Sequence, residues 1–226
     1  MFEQQPEDLR KKVKQLATEF TQNADPSGWF EVLYADAERD AQQVPWARLA
    51  PHHAVQEWLE KHNPSGNGKS ALAIGCGLGD DAEALSRQGF QVTAFDISSS
   101  AIAWCKQRFP NSSVNYQVAD LFHLDPAWNR AFDLVVEVRN IQALPLKVRS
   151  QVLRAIAPLV APEGTLLIIT RIRDTETEPD GPPWALSDGE LAQLQQLRLT
   201  EIERNIFFEG ENDEVKHAQI TYRAPG

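Results

Sequence analysis

From position 70 onward, short apolar runs alternate with stretches of helical periodicity, and this alternation constrains the fold more than any other feature of the sequence. Runs typical of strands occur at 71–74, 91–95, 114–118, 132–137 and 165–170, and helical patterns occur at 81–88, 98–108 and 146–157. This order predicts βαβ units and a mostly parallel sheet, so the expected fold class is α/β. Two later runs, 201–208 and 219–223, have no helix between them and predict an antiparallel addition to that sheet.

The N-terminal part of the chain follows a different pattern, with amphipathic stretches at 9–20, 29–39 and 51–61. Their apolar residues recur at the three- to four-residue spacing of a helix face. A segment rich in Pro, Gly, Ser and Asn then precedes the first strand. Since 226 residues suit one large domain with an appendage, we expect a helical cap or lid over residues 1–69 and a sheet domain over residues 70–226.

The net charge of −10 narrows the choice of partners. Nucleic acids and anionic membrane surfaces attract basic patches, so an acidic chain favours neither of them, while a cationic ligand remains compatible. The chain has two cysteines, outside any CxxC pair, and its polar N-terminus has no apolar core like that of a signal peptide. We therefore expect a cytoplasmic protein that binds neither nucleic acid nor membrane.

The first strand leads into a glycine-rich turn, GCGLG at 75–79, which is followed by Asp80 and Asp81. Glycines at this place let a ligand lie against bare backbone at a helix N-terminus. Asp96 ends the second strand 21 residues after Gly75, where a carboxylate accepts hydrogen bonds from a ribose. The spacing therefore predicts an adenosine-containing cofactor.

Two cofactor classes compete for this turn. A dinucleotide would place its pyrophosphate at the helix N-terminus, where Asp80 and Asp81 would repel it. S-adenosylmethionine has no phosphate and carries a positive sulfonium and a positive ammonium, which suit an acidic turn. The residues favour S-adenosylmethionine, and an NAD-dependent oxidoreductase with a Rossmann fold is the alternative.

Five segments, in order, resemble the motifs of the class I S-adenosylmethionine-dependent methyltransferases. They are the glycine turn with Asp81, FDIS at 95–98, VADL at 118–121, FDLVVE at 132–137 and LVAPEGTL at 159–166. The resemblance covers about 70–223, and it implies a Rossmann-like, doubly wound, mostly parallel seven-stranded sheet with an antiparallel C-terminal strand. It also implies a methyltransferase that uses S-adenosyl-L-methionine.

Within that class, the sequence is similar to the thiopurine, thiol and halide methyltransferases that act on small molecules. Ile74 stands where many members of the class have an acidic residue before the first glycine. Two further segments, VPW at 44–46 and GPPW at 181–184, strengthen the similarity to this subgroup. The resemblance therefore implies a small-molecule methyl acceptor.

The resemblance also implies which residues bind the cofactor. Asp120 would contact the adenine amino group, and the backbone of Leu121 would contact the ring. The expected cofactor-binding set is Trp46, Gly75, Cys76, Gly77, Asp81, Asp96, Ile97, Asp120, Leu121 and Glu137. Trp29 and Tyr34 are expected to join Trp46 in a lid over the cofactor.

Arg139 and Asn140 follow the fourth strand and are the candidate catalytic residues. Methyl transfer depends mainly on holding the acceptor in line with the methyl group, so an obvious general base is not required. Arg139 would either hold an anionic acceptor or pair with Glu137. Thiol, halide, hydroxyl and metalloid acceptors all remain open.

No metal site is predicted, because the five histidines show no ligand spacing. The adjacent His52 and His53 are expected to point apart at a helix start. A protein that keeps the cofactor site without catalysis is a further alternative, and the sequence leaves the oligomeric state open.

Overall fold

The computed structural model describes residues 6–210 and 214–226. The helices are α1 (Glu7–Gln22), α2 (Trp29–Asp36), α3 (His53–His62), α4 (Asp80–Arg87), α5 (Ser99–Arg108), α6 (Arg149–Ile156), α7 (Asp188–Leu191) and α8 (Gln193–Gln196). The strands are β1 (Ser70–Ile74), β2 (Gln91–Asp96), β3 (Asn115–Val118), β4 (Phe132–Val138), β5 (Val160–Arg171), β6 (Thr200–Glu209) and β7 (Val215–Arg223). The predicted cap begins with residues 1–5, which lie outside the described residues, as do residues 211–213 between the last two strands.

The seven strands form one sheet in the order β3-β2-β1-β4-β5-β7-β6. Strands β1 to β5 pair in parallel, and β7 runs antiparallel to both of its neighbours, β5 and β6. This confirms the predicted doubly wound sheet with one antiparallel C-terminal strand. The order reverses at β1 and β4, and their carboxyl ends are where open α/β sheets bind ligands.

Two predicted element boundaries differ from the structure. Strand β5 begins before its predicted start, because Val160 pairs with Phe132 ahead of a bulge, and regular pairing resumes between Thr165 and Leu134. The predicted helix at 146–157 is broken into a 3-10 turn, α6 and a second 3-10 turn. Pro158 contributes to this break because it lacks a backbone N–H donor.

Both faces of the sheet are covered, which explains the nearly continuous apolar runs of its central strands. On one face, Leu72 and Ile168 pack in a cluster with Leu153 of α6. On the other face, the cluster contains Leu134 together with Leu85 of α4 and residues of α3 and α5. The sheet core therefore includes α3, a helix of the predicted cap.

Hydrogen bonds join two of the N-terminal helices to the rest of the chain. Glu31 of α2 accepts hydrogen bonds from the Ser98 hydroxyl (2.7 Å) and from the Ser100 backbone N–H (3.1 Å) at the start of α5. Trp58 of α3 donates from its indole to the Thr221 hydroxyl on β7 (2.9 Å). The division at residue 70 stays a prediction. No helix within the described ranges has the length and apolar character needed to cross a membrane.

Candidate active site

A cavity of about 240 Å³ lies between the carboxyl ends of the strands and the N-terminal helices. The sheet side contributes the glycine turn and the residues that follow β2, β3 and β4. The helical side contributes aromatic residues, namely Trp29, Phe30, Tyr34 and Trp46. The volume is just below the roughly 300–1,000 Å³ of typical small-ligand pockets. The cavity lies at the edge of the sheet where the sequence predicts a cofactor, so it is the candidate active site.

The glycine turn is shaped by left-handed backbone at Gly75 and Gly77, where φ is +53° at both residues. A Cβ atom at Gly75 would overlap the side chain of Asn140, so only glycine fits there. The Asn140 amide donates to the carbonyls of Ile74 (2.8 Å) and Val138 (3.2 Å). The predicted catalytic Asn140 thus lines the cavity and fastens the turn to the end of β4.

Asp96 faces the glycine turn from the end of β2, as the spacing predicts. Its carboxylate accepts the backbone N–H groups of Gly77 (2.9 Å) and Ser98 (2.9 Å). Only 6% of the residue is exposed, and burial raises the pKa of Asp96 to about 6, although these hydrogen bonds oppose the shift. The carboxylate is therefore held at the cavity wall in a fixed orientation.

The two carboxylates after the turn are both engaged within the protein. Asp80 forms a bidentate ion pair with Arg108, at 2.7 and 2.8 Å. Asp81 accepts the backbone N–H of His52 (2.7 Å), and burial raises its pKa to about 6. The free negative charge at the helix N-terminus is thus smaller than the sequence indicates, and the electrostatic argument against a pyrophosphate is correspondingly weaker.

The residues after β3 and β2 form the far wall of the cavity, which includes Ile97, Asp120 and Leu121. Asp120 accepts the Phe122 backbone N–H (2.9 Å), and its second oxygen is 2.6 Å from Nδ1 of His123. The His123 side chain is 82% exposed, so it faces solvent. The two apolar side chains and the carboxylate offer a slot for a flat, hydrogen-bonding ring.

Cys76 lies within the glycine turn and lines the cavity. A hydrogen bond with Cys105 and burial both raise the pKa of the Cys76 thiol well above its usual range. A thiol that stays protonated is a poor nucleophile, so Cys76 contributes to the wall without reacting.

Glu137 occupies a different place from the rest of the predicted cofactor set. It is fully buried, and its carboxylate accepts the backbone N–H groups of Asn140 and Ile141 (3.0 Å for Ile141). Burial raises the pKa of Glu137 to about 7. Its visible role is to hold the turn after β4.

Arg139 pairs with Glu209 at the end of β6, and this contradicts the predicted pairing with Glu137. Its guanidinium donates from Nη2 to a Glu209 carboxylate oxygen at 2.5 Å. Arg48 donates to the same carboxylate at 3.2 and 3.4 Å. Burial favours the neutral form of Glu209, but the two arginines outweigh it and lower its pKa to about 2.

The expectation that His52 and His53 point apart is also wrong, because their rings stack with centroids 4.6 Å apart. Both rings lie close to Glu209, at 3.9 Å for His52 and 3.7 Å for His53. No sequence signal identifies this group, since Arg48 and Glu209 are separated by 161 residues.

The aromatic residues of the predicted lid do meet at the cavity. Trp46 donates from its indole to the Tyr34 hydroxyl (2.7 Å), and the Trp29 ring meets the Trp46 ring edge-on at 5.8 Å. Trp29 and Tyr34 are nearly fully buried. The helical side of the cavity is therefore an aromatic wall suited to a cation or a flat apolar group.

Residues 71–164 match the model of a protein family described as a methyltransferase domain. The ubiquinone biosynthesis O-methyltransferase of Bordetella avium is 26% identical over 139 residues, which are 59% of this chain and 57% of that protein. The thiopurine S-methyltransferase of Shewanella pealeana is 28% identical over 197 residues, which are 79% of this chain and 84% of that protein. The chain spans 43–57% of the length of the ubiquinone biosynthesis O-methyltransferases from Bordetella avium and Xanthomonas campestris.

Solved structures agree on the fold. The 1,6-didemethyltoxoflavin-N1-methyltransferase of Burkholderia thailandensis superposes with a TM-score of 0.64 at 19% identity, over 87% of this chain and 88% of that chain. The match to a methyltransferase domain favours that family over the dinucleotide-dependent alternative. Together with the glycine turn and the strand order, this match identifies residues 71–164 as a methyltransferase domain.

Proposed function

We propose that this chain catalyses methyl transfer from S-adenosyl-L-methionine to a small-molecule acceptor. The observation that carries the proposal is the Asp96 carboxylate, held at the cavity wall by the Gly77 N–H at 2.9 Å. That carboxylate and the bare glycine backbone lie within a domain that matches methyltransferases.

The cavity offers a partner for each part of the cofactor. Asp96 would accept hydrogen bonds from the ribose, and the slot of Ile97, Asp120 and Leu121 would hold the adenine. Gly75, Cys76, Gly77 and Asp81 would line the amino-acid portion, and Trp46 would cover it. When bound, S-adenosylmethionine supplies a methyl group already activated by the positive charge of its sulfonium.

The protein's own contribution is then to position the acceptor and exclude water. The aromatic wall around Trp46 shields the cavity, and Asn140 keeps the glycine turn against β4. Alignment of this kind supplies effective molarities of about 10⁵–10⁸ M. Burial lowers the pKa of His52 to about 2, so the ring stays neutral and is a poor proton acceptor near neutral pH. We therefore favour an acceptor that is already nucleophilic at that pH.

The names of the relatives bear on the acceptor only in part. One is a ubiquinone biosynthesis O-methyltransferase and another is a thiopurine S-methyltransferase, so the relatives act on different atoms of small molecules. A small-molecule acceptor is therefore proposed for this chain without a choice between oxygen and sulfur. We also propose a cytoplasmic location, no nucleic-acid partner, and a lid formed by residues 1–69, supported by the charge of −10 and by the aromatic wall.

Calorimetric titration with S-adenosylhomocysteine, the demethylated product, tests the cofactor assignment directly. We expect saturable binding of one molecule per chain, and no binding of NADH in a parallel titration. Binding of NADH in place of S-adenosylhomocysteine would restore the oxidoreductase alternative. Turnover is then measured as S-adenosylhomocysteine formed with thiol, hydroxyl, halide and metalloid acceptors, and a protein that binds without any turnover would be a non-catalytic relative.

A further inference from the structure

The part of the cavity nearest β4 and β5 is lined by Arg48, Arg139 and Arg171, together with His52. In the sheet, β4 lies two strands from β2, which ends in Asp96. Neighbouring strands are about 4.8 Å apart, so the backbone positions of Asp96 and Arg139 are separated by roughly 10 Å. The cavity therefore has an acidic end near Asp96 and a basic end near Arg139.

The basic end is held in place by Glu209. Arg139 donates to this carboxylate at 2.5 Å, and Arg48 donates to it at 3.2 Å. The backbone is in the left-handed region at Arg139 (φ +66°) and at Leu49 (φ +55°), the residue after Arg48. Residues other than glycine rarely adopt this conformation.

His52 adds an uncharged donor to the same region. Its Nδ1 accepts the Ala54 backbone N–H (3.2 Å) at the start of α3, so the proton of the neutral ring is on Nε2. That Nε2 is buried and has no hydrogen-bond partner among residues 6–210 and 214–226. Nε of Arg139 is also buried and has no hydrogen-bond partner among these residues. The cavity lining therefore contains two buried donors that a bound acceptor group would satisfy.

The geometry alone would also admit a metal ion, because ligand atoms of His52, His53 and Glu209 lie within 4.8 Å of one another. The hydrogen bonds decide against a cation. Glu209 is already bonded by two guanidinium groups, and Nδ1 of His53 is 3.3 Å from Nη1 of Arg48, which only donates. If Nε2 of His52 bound a metal ion, the ring proton would lie on Nδ1, and His52 would no longer accept the backbone N–H at the start of α3. Arg48, His52 and Arg139 present hydrogen-bond donors, and such donors bind anions.

We propose that Arg48, His52 and Arg139 form an anion-binding subsite, which holds a carboxylate or another oxyanion group of the methyl acceptor. The inference rests on the proposed function and narrows the acceptor to a small molecule that carries such a group. The planar guanidinium fork matches carboxylate and phosphate oxygens in pairs. Glu209 is a positioning residue, because it acts through the two arginines.

Calorimetric titration with benzoate and with inorganic phosphate, each with and without saturating S-adenosylhomocysteine, tests the subsite. We expect the wild-type chain to bind at least one of these probes. Arg139→Met and Arg48→Met should each weaken binding about tenfold or more, the usual effect of losing a charge-assisted hydrogen bond. Arg204→Met is the matched control, because Arg204 is ion-paired with Glu201 and Asp188, away from the cavity.

The variant His52→Asn separates anion binding by Nε2 from the capping of α3 by Nδ1. The asparagine side chain is a good N-cap, so it keeps the acceptor for α3 while removing the Nε2 donor. We expect probe binding about threefold to tenfold weaker, with the thermal unfolding midpoint close to that of the wild type. Unchanged probe affinity in this variant and in Arg139→Met overturns the subsite.

S-adenosylhomocysteine carries a carboxylate of its own, and 5′-methylthioadenosine does not. Comparing the affinities of these two compounds therefore shows whether the subsite binds the cofactor or the acceptor. We expect Arg139→Met to change the affinity for either compound by less than about twofold. Loss of affinity for S-adenosylhomocysteine alone would assign the subsite to the cofactor and overturn the inference. Binding of S-adenosylhomocysteine without any probe binding by the wild type would also overturn it, but leave the proposed function standing. Failure to bind S-adenosylhomocysteine would overturn the proposed function itself.

Discussion

The two ends of the cavity are assembled in different ways. The glycine-turn part of the cofactor end comes from one continuous segment, 74–97, in which Asp96 closes on the turn through the Gly77 N–H. The acceptor end takes its residues from distant parts of the chain, namely Arg48, His52, Arg139 and Glu209. One end is built by local backbone geometry, and the other is built by long-range ion pairs.

This difference has a consequence for how such a protein changes its substrate. Backbone geometry shapes the glycine turn, so we expect side-chain changes at the acceptor end to leave it intact. The acceptor end depends on the pairing of Glu209 with Arg48 and Arg139, so a single substitution there alters charge and shape together.

The largest effect is expected at the cofactor end. Asp96→Ala removes a charged acceptor, and we expect about 100-fold weaker binding of S-adenosylhomocysteine in calorimetry, since hydrogen bonds to charged groups contribute about 1.5–3 kcal/mol. Asp125→Ala is the control, because Asp125 also accepts a backbone N–H, from Ala127 (2.9 Å), but lies outside the cavity lining. Equal losses in both variants would show that the effect is not specific to the site.

Glu209→Gln tests the independence of the two ends. The substitution keeps the volume but removes the charge that holds Arg48 and Arg139, and the Glu209 side chain is only 14% exposed. We expect the free energy of unfolding in urea to fall by about 1–3 kcal/mol, the cost of weakening partly buried charged hydrogen bonds. The affinity for S-adenosylhomocysteine should change by less than about twofold. A tenfold loss of that affinity would show that the ends are coupled.

The pH dependence of cofactor binding sharpens the comparison further. The pKa of Asp96 is raised to about 6, mainly by burial, and a ribose hydroxyl or a cation binds its ionised form. We therefore expect the affinity for S-adenosylhomocysteine to fall as the pH drops below 6, by up to about tenfold per pH unit. In Asp96→Asn this dependence should become shallower, and an equally steep profile would assign it to another group, of which Asp81 is the nearest by pKa.

The smallest effect concerns Glu137, which is fully buried. Burial raises its folded-state pKa from 4.5 to about 7, so its contribution to stability is fully present below pH 4.5 and is lost as the pH rises through 7. Glu137→Gln should therefore be more stable than the wild type at pH 8, by about 1 kcal/mol. The gain is limited because the new amide inherits the unpartnered place of one carboxylate oxygen. Urea unfolding at pH 5 and pH 8 measures the difference, and a variant less stable at pH 8 contradicts it.

The sheet could be predicted because each central strand is buried on both faces and therefore leaves a short apolar run in the sequence. The start of β5 could not be predicted, because the bulge after the pairing of Val160 with Phe132 depends on the neighbouring strand. The break in the helix around α6 could not be predicted either, because helical periodicity continues across its 3-10 turns.

Within the site, the local sequence pattern is sufficient to predict that Asp96 meets the glycine turn. A glycine turn after a first strand, followed by an aspartate at the end of the second, brings the groups together through local chain geometry alone. The other features of the site arise only when the chain is folded. The tertiary structure neutralised Asp80 with Arg108, buried Glu137, turned Arg139 toward Glu209 and stacked His52 on His53. Apart from the stacking of the two adjacent histidines, these outcomes depend on side chains that meet across 28 to 161 residues of chain or on the burial of a single group, and the local sequence pattern specifies neither.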